Sequence, residues 1–381
     1  MIKNISRIII AILMMIPNLG TSQINLNSKH TPSYYLHALC DTTNNSNIIP
    51  YIHHWIKFLY TEEPSERKKM WNPQDIDKWG DLEYALFYQS LFQYPPKYLL
   101  NYFKPYILSV YFEDTLCYIV TAFWNFNKSP SDSLIYQNSN PFAITEVAIY
   151  NQNDTLYLTN LFNKRTSFWK KESFNTIHYI YEPSLHLNLV DAKKSYEFIS
   201  HISSFWGLNP DTITYVVCQS PQSLGYLLGF NFFYAGYTTG RAFPEAKILF
   251  SGNGLFYYPH ELTHLILDAH FKWGHFLSEA FATYFGGSGK NNFDQLLMEF
   301  KTKYPFITEK IFNDIFNYPN STDAYVLSAI MIDILLSKYG KHFLDKMDLK
   351  KTENVEEFLK QSSAYFNYNK IKFIYEINKM K

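Results

Sequence analysis

His260-Glu261-Leu262-Thr263-His264 limits what its part of the chain can become more sharply than any other stretch. On an α-helix, positions i and i+4 lie one turn apart on the same face, so both imidazoles can reach one metal ion. Leu262, Leu265, Ile266 and Leu267 supply apolar positions and neither Gly nor Pro interrupts, which predicts a helix over the motif. Zinc accepts histidine nitrogen, and catalytic zinc sites keep three protein ligands plus an open position for water. Glu261, beside the first histidine, then has the place of a general base.

The segment Phe276-Leu277-Ser278-Glu279-Ala280-Phe281-Ala282-Thr283-Tyr284-Phe285 predicts a second helix. Residues 265–278, fourteen positions, separate His264 from Glu279, and Lys272-Trp273-Gly274 can turn the chain back between them. Glu279 on the inward face would meet the two histidines as third ligand, with Ala280 and Ala282 small enough for close helix approach. An unpaired carboxylate inside this apolar stretch would be costly, which favours a partnered one.

HELTH followed by LSEAFATYF resembles the gluzincin clan of zinc peptidases, especially its aminopeptidase-like members, over residues 257–287. The resemblance implies zinc held by His260, His264 and Glu279, with Glu261 as base. It also implies a transition-state donor from a downstream helix. Tyr325 is the best positional match, and Tyr258 and Tyr284 are weaker ones. Lys247 to Phe250 is expected to be the edge strand that pairs with an extended peptide. Two departures stand out: Ala280 replaces the usual Gly, and the spacer to Glu279 is shorter than in thermolysin or the aminopeptidases. Gly252-Asn253-Gly254 lacks the Met-Glu pair of the aminopeptidases' substrate strand, which removes the main argument for aminopeptidase specificity.

His260, Glu261, His264 and His270 also have the spacing of the metzincin ligand set. That motif needs Gly where this chain has Leu267, and continued helix would carry His270 away from the metal. No Gly-rich phosphate loop, no Gly-x-Ser-x-Gly elbow and no Cys–His arrangement points to another chemistry.

Of 381 residues, 47% are hydrophobic and 19% aromatic, enough for a large core and two or three domains. Thirty-four basic residues balance thirty-four acidic ones, so charge gives no reason to propose nucleic acid or an anionic membrane as partner. Residues 1–22 read as a secretory signal peptide. Lys3 and Arg7 precede the apolar run Ile8 to Ile16, and small residues follow it. The expected location is therefore exported (periplasmic, cell-surface or secreted), with no transmembrane span after cleavage. Cys40, Cys117 and Cys218 form no ligand spacing, and permit one bridge or three buried thiols.

Along the chain, residues 23–104 read as a mixed, helical N-terminal region, with helix-start signals at Glu62-Glu63-Pro64 and Asn72-Pro73 and a break at Pro95-Pro96. Residues 105–188 read as an antiparallel β domain with a turn at Asn151 to Asp154. Residues 189–381 read as the catalytic domain, in which Tyr325 to Leu336 is a buried helix too interrupted to span a membrane. The expected fold is α+β: a β domain, then a zincin (thermolysin-like) catalytic domain with a helical C-terminal part. The expected function is zinc-dependent hydrolysis of a peptide or protein substrate. The alternative is a catalytically silent zincin-like exported binding or surface protein.

Overall fold

Asn153 and Asp154 both take positive φ, 50° and 64°, and so close a two-residue hairpin whose twist matches its strands. The computed structural model of the chain describes residues 34–37, 46–79, 100, 103–124, 141–234 and 236–380. The signal-peptide segment 1–22, Cys40 and the Pro95-Pro96 break lie outside the described residues. The chain divides into two compact units, Met1–Arg165 with Gly225–Tyr237, and Thr166–Leu224 with Thr238–Lys381.

The first unit is built on a sheet of six strands among the described residues. Its order is β1 (Tyr35–Leu36), β2 (Lys104–Glu113), β3 (Leu116–Trp124), β4 (Ala143–Gln152) and β5 (Thr155–Thr159), with β9 (Phe230–Phe233) also pairing with β4. All pairings are antiparallel except the short β1–β2 contact. Helices α2 (Pro64–Lys69) and α3 (Pro73–Trp79) begin at the two prolines, whose missing N–H costs nothing in a first turn. Helix α1 (Ile49–Tyr60) is pinned to β3 by the buried Trp55 indole, which donates to Thr121 Oγ1 at 2.9 Å. The short α4 (Phe162–Arg165) closes this stretch, and α6 (Pro221–Leu227) carries the chain back toward β9.

In the second unit the sheet order is β10 (Gly240–Phe243), β11 (Ile248–Ser251), β8 (Ile213–Val217), β7 (Ile177–Tyr181) and β6 (Lys170–Phe174). The three middle strands are parallel, and β10 and β6 run antiparallel at the two edges. Between β7 and β8 the chain crosses over through α5 (Leu189–Trp206), capped by the Asn188 side chain and ended by Gly207 at φ 71°. Then come α7 (Pro259–Phe271), α8 (His275–Gly286), α9 (Phe293–Lys303), α10 (Glu309–Phe316), α11 (Thr322–Tyr339), α12 (Val355–Phe366) and α13 (Lys370–Lys379). Leu262 and Leu265 of α7 pack with Tyr179, Tyr215 and Leu249 of the sheet, while Leu267 joins the core of α8 and α11. Helix α11 buries Val326 through Ile332, as its apolar run predicts, and no described helix is long and apolar enough to cross a membrane.

Two expectations are corrected. The β region read as 105–188 is split, because β6 and β7 belong to the second unit's sheet and Phe230–Phe233 returns to the first. Alternation marks a strand but not its sheet, and the parallel β7–β8 pairing joins segments separated by a whole helix. The predicted edge strand at Lys247 to Phe250 is instead interior: all four residues of β11 are buried, and β10 is the edge. A continuous apolar run is what a parallel strand covered on both faces requires. Cys117 and Cys218 are buried free thiols.

Candidate metal centre

Pro259 starts α7 and Lys272 ends it in the left-handed region at φ 48°, leaving Trp273 and Gly274 before α8 begins. A Cβ on Gly286, at the end of α8, would lie 2.4 Å from the His260 backbone nitrogen, so only glycine lets that end of α8 settle on the start of α7. This packing brings Glu279 over the histidine face.

The donor atoms of His260, His264 and Glu279 all lie within 4.8 Å of one another. The two Nε2 atoms are 3.2 Å apart, and Glu279 oxygens stand 3.5 Å from His260 Nε2 and 3.7 Å from His264 Nε2. Donors bound to a tetrahedral zinc at its usual bond lengths lie about 3.4 Å apart. Two imidazole nitrogens and one carboxylate at these separations fit that ion. The group could hold a metal ion, and all three side chains are largely screened from solvent, between 12% and 17% exposed.

Each histidine engages its other nitrogen elsewhere. His260 Nδ1 meets the Gly287 carbonyl at 2.7 Å, and His264 Nδ1 meets Asp268 Oδ2 at 3.0 Å and Ser278 Oγ at 2.9 Å. Such partners fix the ring and leave Nε2 toward the metal. Sequence reasoning missed all three. Asp268 carries a signal, one helical turn beyond His264, whereas a backbone carbonyl carries none.

Burial raises the Glu261 carboxyl above its usual range; His264 and His260 pull it down, Glu279 pushes it up, and the Ala242 backbone N–H bonded to it pulls it down, with a net rise. Burial pushes His264 down, but the Asp268 carboxylate at Nδ1, with Glu279 and Glu261 nearby, outweighs it and raises the imidazole to about 9. Burial also lifts Glu279, yet its hydrogen bond from His260 and the adjacent imidazoles leave it lowered overall, an ionised acceptor. The edge strand β10 passes directly over the base. A Cβ on Gly240 would stand 2.4 Å from the Tyr258 ring and 2.8 Å from Glu261 Cγ.

Tyr325 is half-buried at the start of α11, and burial, followed by the charges of Glu279 and Glu261, pushes its phenol up to about 12. The Tyr258 hydroxyl pairs with Thr239 Oγ1 at 3.1 Å, and Tyr284 bonds Asp333 of α11. His270 is exposed, stacked edgewise on Phe271, and is not among the metal-capable residues; α7 runs through Leu267 without the turn a metzincin site needs.

No protein-family model matches the sequence, and no curated protein matches it. Among solved structures, the chain is similar to the crystal structure of an M1 zinc metallopeptidase from Deinococcus radiodurans, at 11% identity and a TM-score of 0.32. The match covers 73% of this chain and 65% of that one, so the chain spans just under two thirds of that enzyme's length.

Proposed function

We propose that the chain is an exported zinc peptidase of the gluzincin kind, its second unit a zincin-type catalytic domain acting on a peptide or protein substrate. One observation carries the reading: two histidines and a glutamate from adjacent helices converge within 4.8 Å, with Glu261 half-buried beside them. Zinc held by His260, His264 and Glu279 would polarise the scissile carbonyl and make a water molecule a better nucleophile.

Glu261 takes the proton of the attacking water and returns it to the leaving amine. Its raised pKa brings it nearer neutrality, where a base both stays ionised and can deliver the proton again. The Ala242 N–H bond holds its carboxylate against β10, so the base is fixed relative to the edge strand. An extended peptide can add to that edge, main chain to main chain, which moves the substrate-pairing role from Lys247–Phe250 to Gly240–Phe243. Tyr325, its phenol protonated at neutral pH, is the proposed donor to the oxyanion. Residues 1–22 supply the export signal in this account.

Casein or a peptide library incubated with the purified chain is expected to be cleaved. Cleavage should stop when a chelator removes zinc and return when zinc is restored. Cleavage indifferent to chelation would overturn the proposal, and a metal-loaded chain that binds a partner without cutting anything would favour the silent binding protein.

A further inference from the structure

The two histidines are held by chemically different partners. His260 Nδ1 faces a neutral backbone carbonyl, and His264 Nδ1 faces a carboxylate. That carboxylate collects hydrogen bonds from three successive segments. His264 and Asp268 lie one turn apart on α7, Trp273 sits in the turn, and Ser278 is on α8 immediately before Glu279. The Trp273 indole N–H donates to Asp268 Oδ1, and the Ser278 hydroxyl donates to Oδ2 at 2.7 Å.

Since the serine proton is spent on Asp268, the lone pair of Ser278 Oγ is what faces His264 Nδ1, 2.9 Å away. Both neighbours of Nδ1 are then acceptors, so Nδ1 carries a proton and Nε2 is the nitrogen turned toward His260 and Glu279. The Trp273 ring lies stacked between Phe271 and Phe281, at centroid distances of 4.9 and 4.6 Å, and cannot swing away from the carboxylate. The turn itself is tied down. Gly274 N donates to the Leu349 carbonyl at 2.9 Å, and a Cβ on Gly274 would lie 2.4 Å from the Thr352 backbone.

We propose that Asp268 is the positioning residue of the metal centre, fixing the His264 ring with Nε2 toward the metal and, through Trp273 and Ser278, setting α7 and α8 against one carboxylate. It rests on the zinc-peptidase reading above and adds to it a residue outside the ligand set. Asp268 must accept three hydrogen bonds and donate none. An asparagine offers one acceptor and one donor group, so it would set an N–H against the tryptophan N–H or against the histidine and serine protons.

The test uses the full chain, with zinc affinity measured by competition against a chromophoric chelator. Asp268→Asn is expected to weaken zinc binding about 10- to 100-fold, and the loaded cobalt(II) form should show a shifted visible spectrum. Far-UV circular dichroism of the metal-free chain should stay close to the parent while zinc affinity and the cobalt spectrum change, a pairing that a merely structural role would not give. Trp273→Phe keeps an aromatic ring in the stack while losing the N–H and part of the bicyclic ring, so a smaller loss in the same direction is expected. Should Asp268→Asn not fold, Trp273→Phe decides, and an unchanged affinity there overturns the inference. A folded Asp268→Asn chain that binds zinc within about twofold of the parent and keeps its cobalt spectrum overturns it too. A parent chain that binds no zinc at all fails the functional reading beneath it instead.

Discussion

Glu261→Gln is expected to lose nearly all peptide hydrolysis while the chain keeps its fold and its zinc. The amide is close in size to the carboxylate, and its oxygen can still accept the Ala242 N–H that anchors Glu261 to β10. It cannot take up a proton at neutral pH, so the transfer from water to leaving amine loses its carrier. General-base catalysis alone accounts for a factor of about 10² to 10⁴, so the residual rate should fall at least that far. Glu261 is not one of the three metal-capable residues, so zinc content should match the parent. Turnover of a peptide library and zinc per chain, measured on the same preparation, give the answer. Undiminished turnover would remove Glu261 from the chemistry.

Glu279→Ala should cost the chain most of its zinc, whereas His270→Ala should cost none. Glu279 supplies the only carboxylate of the metal-capable group, with oxygens 3.5 and 3.7 Å from the two histidine Nε2 atoms. Removing one of three protein ligands leaves two neutral imidazoles to hold a dication, too few for a stable site. His270, exposed at the end of α7, stacks edgewise on Phe271 and is not among the metal-capable residues. Metal analysis of the two variants separates the readings: zinc kept by Glu279→Ala and lost by His270→Ala would install the metzincin ligand set.

What was legible in the sequence was local. A helix over HELTH, a turn at Lys272 to Gly274 and a second helix presenting Glu279 follow from spacing and apolar periodicity, and the structure forms all three. Helix starts at Pro64 and Pro73 and the Asn153-Asp154 hairpin are equally local, because they depend on φ preferences of the residues that make them. Long-range pairing was not legible. Nothing in Ile177–Tyr181 says that, besides its hairpin with Lys170–Phe174, it runs parallel to Ile213–Val217 rather than joining the sheet of the first unit. Likewise Ile248–Ser251 reads as a strand whether it lies at an edge or between two neighbours. At the site, the ligands announce themselves by residue type, but the Gly287 carbonyl on His260 arises from a close backbone contact that only glycine at 286 permits.

Zinc content of the purified full chain, by elemental mass spectrometry after exhaustive dialysis, bears most directly on the central claim that His260, His264 and Glu279 form a zinc centre. About one zinc per chain is expected in the parent and almost none in a His260→Ala, His264→Ala double variant that still folds. A folded parent that stays free of zinc when zinc is supplied, or a double variant that keeps it, would mean that these three residues do not form a zinc centre.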